Sequence, residues 1–484
     1  MINNNEINIA KFCIGSALKQ GASAARVSLS KSIIDSYMML NGELDKVTHS
    51  ADRSIYLYIY ADGRYGNFST NRLETSELED FIGKAISMVR MLGEDSCRTL
   101  PEASRTAIDA KTGRELDLYD ECFGQSSSDL RLDRAGELTQ FRKLTDTADK
   151  NGFITSSEWG HSFHLISEEC EYSESFEDNY VCDSQGFEGR HTETSFSTFC
   201  EMTIEDSEGN KYSGFWWEAT PKFRDLNLNE CSQKALDKAV RQIAPKSRRG
   251  GRYKMVVDCN AASRLVSPLF TALNASSIQQ KMSFLDESLG TKVFPEGLTI
   301  MDLARTTGKA GSRLFDTEGV ATTDSPIIEN GVVKKYFVNT YMANKMGIAP
   351  TIEDISRPCV MPYMEGKALS DAEKSISLKD ILQHCGNGIL VTGFNGGNCN
   401  PATGDFSFGV EGYAFSKGKI THPVREMLIT GNLTELWNSL IAAGTDARSN
   451  ARWQRIIFIR QNLLTIQHQK FISVEALNIV QQRR

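Results

Sequence analysis

The alternation of apolar and polar residues predicts strands near the start of the chain. Apolar side chains occupy every second position over residues 54–60, the period of a strand with one buried face, and the turn dipeptide Asp62-Gly63 ends it. Two further strands are predicted at residues 26–30 and 33–40, followed by the tight-turn dipeptide Asn41-Gly42. These strands are expected to form a sheet with short connections.

Apolar residues at helical spacing predict helices on both sides of these strands. The first helix covers residues 7–20, and the second begins at Ser76, with Glu79 three residues later as a capping box. More polar helices are predicted at residues 116–123 and 130–148. The mixture of helices and strands predicts an α/β domain for this part of the chain.

A second group of strands is predicted over residues 154–205. Its acidic run has two interpretations, a solvated sheet edge that resists aggregation, which we favour, or a metal or substrate site. The run comprises Glu168, Glu169, Glu171, Glu174, Glu177 and Asp178. His161 and His164 lie beside Glu158 and resemble half a metal site, but no further ligand accompanies them, and we favour surface or hydrogen-bonded histidines.

The aromatic residues at 212–217 are expected to pack this sheet against a helix at residues 230–243. A linker-like run that contains proline, two glycines and several basic residues follows at 245–252. We therefore predict two domains, an N-terminal α/β domain at residues 1–248 and a β-rich C-terminal domain at residues 249–450.

Residues 391–412 combine glycines, short polar side chains and flanking apolar residues. This composition predicts a strand, a Gly/Asn loop and a second strand, because glycine and asparagine accept the backbone angles of turns. A loop on a rigid sheet is a frequent position for a functional site. A tight crossover required only for packing would use the same residues, and composition leaves both alternatives open.

Composition limits the classes of function. The chain has 484 residues, 40% of them hydrophobic and 24% charged, which is ordinary for a globular protein of two or three domains. A net charge of −8 argues against direct nucleic-acid binding. No apolar run approaches the length of a membrane helix, and eleven scattered cysteines without a C-x-x-C pair are typical of reduced thiols in the cytoplasm.

Several segments in order resemble one family, the TldD/TldE metalloproteases, also called PmbA or "modulator of DNA gyrase". The similarity covers most of residues 10–450. The segments that carry it are F-D-T-E-G-V-A-T-T (315–323), I-I-E-N-G-V-V-K-K-Y (327–336), N-T-Y-M-A-N-K-M-G (339–347), G-F-N-G-G-N-C-N-P-A-T-G-D-F-S-F-G-V-E-G (393–412) and G-K-I-T-H-P-V-R-E-M-L-I-T-G-N (418–432).

The resemblance implies an α+β protein, with an α/β N-terminal domain and a C-terminal domain built on an antiparallel β barrel. It also implies a TldD–TldE heterodimer that cleaves unfolded peptides. In such a pair TldD holds zinc on an H-E-x-x-x-H helix, with a late cysteine as a further ligand, whereas TldE lacks these ligands.

The zinc-binding residues are absent from this sequence. The motif is expected within residues 264–280, but no histidine occurs between His191 and His384, and Cys399 is the last cysteine. That stretch offers Thr271, Asn274, Ser276 and Ser277, which are not a zinc ligand set. The chain therefore resembles TldE/PmbA, and we expect no catalytic or metal-binding residue in it and zinc in the partner subunit.

The resulting hypothesis is a non-catalytic, cytoplasmic partner of a TldD-like zinc subunit, with a homodimer possible in its absence. Residues expected to contact peptide or partner are Asn395, Gly396, Gly397, Asn398 and Asp405. Two alternatives remain, a stand-alone hydrolase that uses His161, His164 and nearby carboxylates, and a regulator that contacts DNA gyrase. The basic, glutamine-rich tail at 451–484 departs from the family pattern.

Overall fold

The computed structural model describes residues 1–156, 160–248, 250–366, 376–445, 457–459 and 465–468. The helices in these residues are α1 Asn4–Lys19, α2 Thr75–Val89, α3 Ser128–Leu138, α4 Phe141–Thr145, α5 Cys231–Val240, α6 Cys259–Ala272, α7 Ala275–Gln279, α8 Thr340–Met346, α9 Leu378–Cys385 and α10 Leu433–Asn438. None of these helices combines the length and apolar character needed to span a bilayer.

The strands of the described residues fall into three sheets. They are β1 Ala24–Leu40, β2 Glu43–Ala61, β3 Arg64–Thr70, β4 Ile154–Thr155, β5 Ser162–Asp183, β6 Glu188–Asp206, β7 Lys211–Thr220, β8 Gly251–Arg252, β9 Met255–Val257, β10 Ile300–Asp302, β11 Ser325–Glu329, β12 Val332–Val333, β13 Pro358–Val360, β14 Tyr363–Met364, β15 Gly388–Cys399, β16 Asp405–Ser416, β17 Lys419–Asn432, β18 Leu440–Ala443, β19 Ile457–Ile459 and β20 Thr465–His468.

The first sheet is antiparallel and has the order β3-β2-β1-β5-β6-β7, with β4 paired to β5. One face of this sheet is covered by helices. Helices α1 and α2 pack over its β1–β3 end, around the buried side chains Ile9, Val27 and Ile82. Helices α3 and α5 cover the β5–β7 end, where Tyr172 and Ala235 are buried in the same core.

The structure corrects several local predictions for this region. The two strands predicted at 26–30 and 33–40 are one strand, β1, because no turn residue separates them, whereas the predicted turn at Asn41-Gly42 is confirmed by φ angles of 52° and 81°. Helix α2 begins at Thr75, and its N-cap residue Glu74 makes no side-chain cap bond, so the capping box was wrong.

The helix predicted at 116–123 is also wrong. Asp117 has a φ of 50°, which a right-handed helix does not allow, and only a short 3₁₀ helix follows at Glu121–Gln125. The single helix predicted at 130–148 is instead divided between α3 and α4, because Thr139 has an extended backbone.

The acidic run is not a solvated sheet edge. Its strand, β5, is internal, since it pairs with β1 on one side and β6 on the other. The side chains of Glu168, Glu174 and Asp178 point to the helix-covered face and are buried. The prediction failed because the groups that stabilise the buried carboxylates lie in other elements and cannot be identified from the run itself.

Each of the three buried carboxylates has partners. Glu174 accepts from Arg131 Nε at 2.9 Å and from Arg134 Nη1 at 2.6 Å, which fixes α3 to the sheet. Asp178 is paired with Arg190 at 2.6 Å, and Glu168 accepts from the backbone N–H groups at the start of α4. Buried charges are stable in a fold only when they are paired in this way.

The C-terminal part contains a curled, mostly antiparallel sheet, a half-barrel with the order β14-β18-β19-β9-β15-β16-β17-β20-β8. Only β9 and β15 run parallel among the described pairs. The fold is α+β as predicted, but the described strands do not close into a barrel. Helix α6 packs on one face of this sheet and α9 on the other, and a smaller sheet of order β12-β11-β10-β13 adjoins the α6 side.

Two further predictions concern the end of the chain. The helix predicted at 433–443 ends at Asn438 in α10, and the remaining residues form β18. Within the tail 451–484 only β19 and β20 are described, and both pair with strands of the half-barrel through their backbones.

Candidate functional site

The Gly/Asn segment lies mainly in a strand rather than in a loop. Strand β15 continues to Cys399, so the loop before β16 contains only residues 400–404. The pairing of β15 with β16 shifts register between Asn395 and Asn398, which marks a bulge. Gly396 and Gly397 have φ angles of 63° and 78° in this bulge. The predicted loop was wrong because a bulge accommodates the same residue types inside a strand.

Some of the glycines are required for packing. A Cβ atom on Gly397 would overlap the carbonyl oxygen of Ser407, and one on Gly412 would overlap that of Leu390. A Cβ atom on Gly396, in contrast, would meet no atom within 4 Å. Gly397 and Gly412 are therefore required for packing, whereas the surface of the segment is accessible at Gly396.

Helix α6 is tied to this bulge by a single arginine. Arg264 Nη2 donates to the carbonyl oxygen of Gly397 at 2.9 Å and to that of Gly396 at 3.4 Å. Its guanidinium also lies 4.9 Å from the centre of the Phe408 ring. The N-terminus of α6 is capped by Asp258, which accepts from the backbone N–H of Asn260 at 2.8 Å. These contacts fix α6 beside β15 and β16.

Two cavities lie beside the bulge, and Ser263 and Arg264 line both of them. The first, of about 620 Å³, separates strand β7 and helix α5 from β15, β16 and β17. The second, of about 570 Å³, lies between α6 and the end of β15. We call the two cavities together the cleft. Both volumes fall in the range of small-molecule and peptide pockets.

Four of the five predicted contact residues line the cleft. Asn395 and Gly396 face the first cavity, and Gly397 and Asn398 face the second. Asp405 lines neither of these cavities. It accepts from Asn432 at 2.9 Å and Thr403 at 2.7 Å, and these bonds lower the pKa of its carboxyl. Its observed contacts hold the short loop together.

Sequence reasoning did not identify the aromatic wall of the first cavity. Tyr212 and Trp216 belong to the core formed with α5, as predicted, but Phe215 and Trp217 are 50% and 41% exposed and, together with Trp216, line the cavity. The signal was present in the strand period, because residues 215 and 217 lie on the opposite face from 212 and 216.

The cleft does not offer a zinc-binding set. The polar α6 side chains that line it are the hydroxyl groups of Ser263, Ser267 and Thr271, the amide of Asn260 and the cation of Arg264. Burial raises the pKa of the nearby Cys399 thiol, which disfavours the thiolate that zinc requires. Across the residues that the structure describes, no three His, Cys, Asp or Glu side chains are grouped to hold a metal ion. The donor chemistry therefore does not fit zinc.

The histidine pair lies outside the cleft lining. His164 Nδ1 is 2.9 Å from the carbonyl oxygen of Gly152, and its ring is 3.7 Å from that of Phe153. This confirms a hydrogen-bonded histidine at this position. Glu158, which the sequence places beside the pair, lies outside the described residues.

Comparison with known proteins identifies the class of this α+β fold as metallopeptidase-like. Family profiles for the PmbA/TldA metallopeptidase match in chain order, domain 1 at residues 25–89, the central domain at 131–243 and the C-terminal domain at 250–463. A crystal structure of a Bacteroides thetaiotaomicron protein described as a modulator of DNA gyrase is 35% identical, with a TM-score of 0.85 over 97% of this chain and 100% of that one. The chain belongs to the PmbA/TldD metallopeptidase family.

Two other relatives extend this similarity. A metalloprotease PmbA homolog from Haemophilus influenzae is 26% identical over 460 residues, which cover 93% of this chain and 94% of that protein. The crystal structure of TldE from Thermococcus kodakarensis shares the fold, with a TM-score of 0.75 over 95% of this chain and 99% of that one at 16% identity.

Proposed function

We propose that this chain is the TldE/PmbA-like, non-catalytic subunit of a cytoplasmic zinc peptidase that cleaves unfolded peptides. Its partner would be a TldD-like subunit that carries the zinc. The observation that supports this most directly is the cleft-facing side of α6, which carries hydroxyl groups and Arg264 where a peptidase needs ligands and a general base.

The cleft gives such a subunit a physical role. An extended peptide is bound through main-chain hydrogen bonds, with pockets for alternate side chains. The exposed Gly396 lets another backbone approach the bulge closely, and Asn395 and Asn398 add side-chain amides on either side. We therefore assign Asn395 to Asn398 to peptide or partner contact and Asp405 to holding the adjoining loop.

Two further properties support a cytoplasmic protein that binds other proteins. All eleven cysteines are free thiols, as expected in a reducing compartment. The net charge of −8 favours protein contacts over nucleic acid. A homodimer in the absence of the partner remains part of the proposal. The stand-alone hydrolase has less support, because His164 is engaged by Gly152 and stacked on Phe153.

The proposal is tested by peptidase assays with an unfolded peptide. The isolated chain is expected to be inactive, and a mixture with its TldD-like partner is expected to be active and to lose activity when a zinc chelator is added. Hydrolysis by the isolated chain that disappears in a double substitution of His161 and His164 by alanine would establish the stand-alone hydrolase instead. Stable binding to gyrase without the TldD-like partner would favour the regulatory alternative.

A further inference from the structure

The first cavity of the cleft is electropositive in a chain that is acidic as a whole. Among the described residues, four cationic side chains and two carboxylates line it. The cations are Lys238, Arg241, Arg264 and Arg425, and the carboxylates are Asp258 and Glu411. A local excess of positive charge in a partly enclosed, low-dielectric space attracts anions much more strongly than the same charges on an open surface.

The two carboxylates have structural partners of their own. Asp258 accepts from the backbone N–H and the side-chain amide of Asn260, at 2.8 and 2.6 Å, and caps α6. Glu411 accepts from the side-chain amide of Asn395 at 3.2 Å. Neither carboxylate is within salt-bridge distance of a described cation that lines the cavity. They therefore do not pair with Arg264 or Arg425.

Two of the arginines are held by groups without a negative charge. Arg264 donates to the carbonyl oxygens of the bulge and lies over Phe408. The guanidinium of Arg425 lies 5.3 Å from the centre of the Tyr212 ring. In the described part of the chain neither arginine forms an ion pair with a carboxylate, so each keeps its full charge for an incoming anion.

The same cavity has an apolar and aromatic wall. Phe215, Trp217 and Ile420 line it and are 50%, 41% and 44% exposed. Partly exposed aromatic side chains beside fixed cations recognise a ligand that presents apolar surface next to an anion. A free inorganic anion would leave this wall solvated.

We propose that the first cavity binds peptide segments in which a carboxylate adjoins an aromatic or large aliphatic side chain, with Arg264 and Arg425 recognising the carboxylate. The choice of a peptide as ligand rests on the proposed peptidase role. The carboxylate has two sources with the same chemistry, an acidic side chain or the C-terminus of a substrate or cleavage product.

Tryptophan fluorescence of the purified full-length chain measures this binding, because Trp216 and Trp217 lie in the cavity wall. The probes are short acetylated peptides of sequence Leu-Phe-X with X as Glu, Gln or Lys, each amidated at its C-terminus, and a fourth peptide that ends in Gln with a free carboxylate. The Glu peptide and the free-carboxylate peptide are expected to bind about tenfold more tightly than amidated Gln, since a charged hydrogen bond contributes roughly that factor. The Lys peptide should bind most weakly.

Variants identify the residues responsible. Arg264→Gln and Arg425→Gln are each expected to remove most of the preference for a carboxylate, whereas Arg425→Lys should retain it. Arg224→Gln is the matched control, because it makes the same charge change at a side chain that is 80% exposed and lines neither cavity. Circular dichroism of each variant separates a lost preference from a lost fold.

Equal affinity for the Glu, Gln and Lys peptides, or no binding by any of them, would overturn the inference. An equal loss of preference in Arg224→Gln and Arg425→Gln would overturn it as well. The titration requires neither zinc nor a partner, so its failure is distinct from failure of the proposed function. A chain that hydrolyses peptides alone could still show the carboxylate preference, and a non-catalytic chain could lack it.

Discussion

Charged side chains are concentrated in two regions of this protein, and their neighbours differ between the two. In the first sheet, Glu174 and Asp178 are fully buried and each meets an arginine within 2.6 Å. In the cleft, Arg264 and Arg425 have backbone and aromatic neighbours, and no described carboxylate pairs with them. In the first region ion pairs join α3 and β6 to β5, and in the second region the arginines line a cavity.

This difference separates a structural use of charge from a binding use. A buried pair is expensive to break, because removal of one partner leaves the other desolvated and uncompensated. A cation that lines an open cavity has no such dependence on a protein partner. Substitutions in the sheet should therefore change stability, and substitutions in the cleft should change binding.

The largest effect is expected from Glu174→Gln. Loss of the carboxylate leaves Arg134 buried without a described carboxylate partner and Arg131 with only Asp35, at 3.4 Å, so the free energy of unfolding should fall by about 3–5 kcal/mol, measured by urea denaturation. Glu177→Gln on the same strand is the control, because its side chain is exposed, and it should change the unfolding free energy by less than about 0.5 kcal/mol. Similar small losses of unfolding free energy in both variants would contradict the structural role of the buried ion pairs.

The next effect concerns a buried carboxylate, Asp316, for which the described residues provide backbone N–H groups rather than an arginine. Burial raises the pKa of Asp316 to about 6, although the backbone N–H groups of Glu318, Val320 and Glu353 donate to it. The folded protein thus binds a proton that the unfolded chain releases near pH 4, and this contribution to stability is lost as the pH rises through about 6. Integrated over roughly two pKa units, the loss amounts to about 3 kcal/mol.

The variant Asp316→Asn isolates that contribution. It cannot ionise, so the stability of the wild type relative to the variant should decrease between about pH 4 and pH 7. Thermal and urea unfolding at several pH values in this window give the difference. A relative stability that stays constant, or increases with pH, would contradict the assignment of Asp316 as a carboxyl penalised by burial.

A smaller effect is expected in the wall of the cleft. Gly396→Ala should lower the free energy of unfolding by about 1–2 kcal/mol. This is the strain of a positive φ angle alone, because the added methyl group meets no atom within 4 Å. Gly397→Ala carries the same strain and also overlaps the Ser407 carbonyl oxygen, so it should cost more. Urea denaturation of the two variants measures this difference. Equal losses of unfolding free energy would mean that the backbone of the bulge moves to remove the overlap with Ser407.

Short-range features of the fold were predictable from the sequence. The turns at Asn41-Gly42 and Asp62-Gly63 were both predicted, and each has two positive φ angles. The backbone requirement of such a turn is local, and glycine with asparagine or aspartate before it meets that requirement within two residues. No distant partner is needed to specify it.

Long-range features were not predictable in the same way. The burial of Glu174 depends on Arg131 and Arg134, about 40 positions away in α3, and on β1 and β6 on either side. The cavity wall at Phe215 and Trp217 depends on residues of the half-barrel that come nearly two hundred positions later. Alternation identifies the face of a side chain, but not what covers that face.

The smallest effect is expected at the histidine pair. His164→Ala removes a partly exposed bond to Gly152 and a ring contact with Phe153, so the unfolding free energy should fall by about 1 kcal/mol. Peptide hydrolysis by the assembled complex should not change. A loss of hydrolysis without a loss of folding would place chemistry in this chain and contradict its proposed non-catalytic role.

The central claim is that this chain contributes a binding wall without the metal centre. The most direct measurement is the zinc content of the purified full-length chain after dialysis against zinc-containing and then zinc-free buffer, with its TldD-like partner treated in parallel. The account predicts zinc in the partner and only a trace in this chain. One zinc ion bound stoichiometrically to this chain would contradict it.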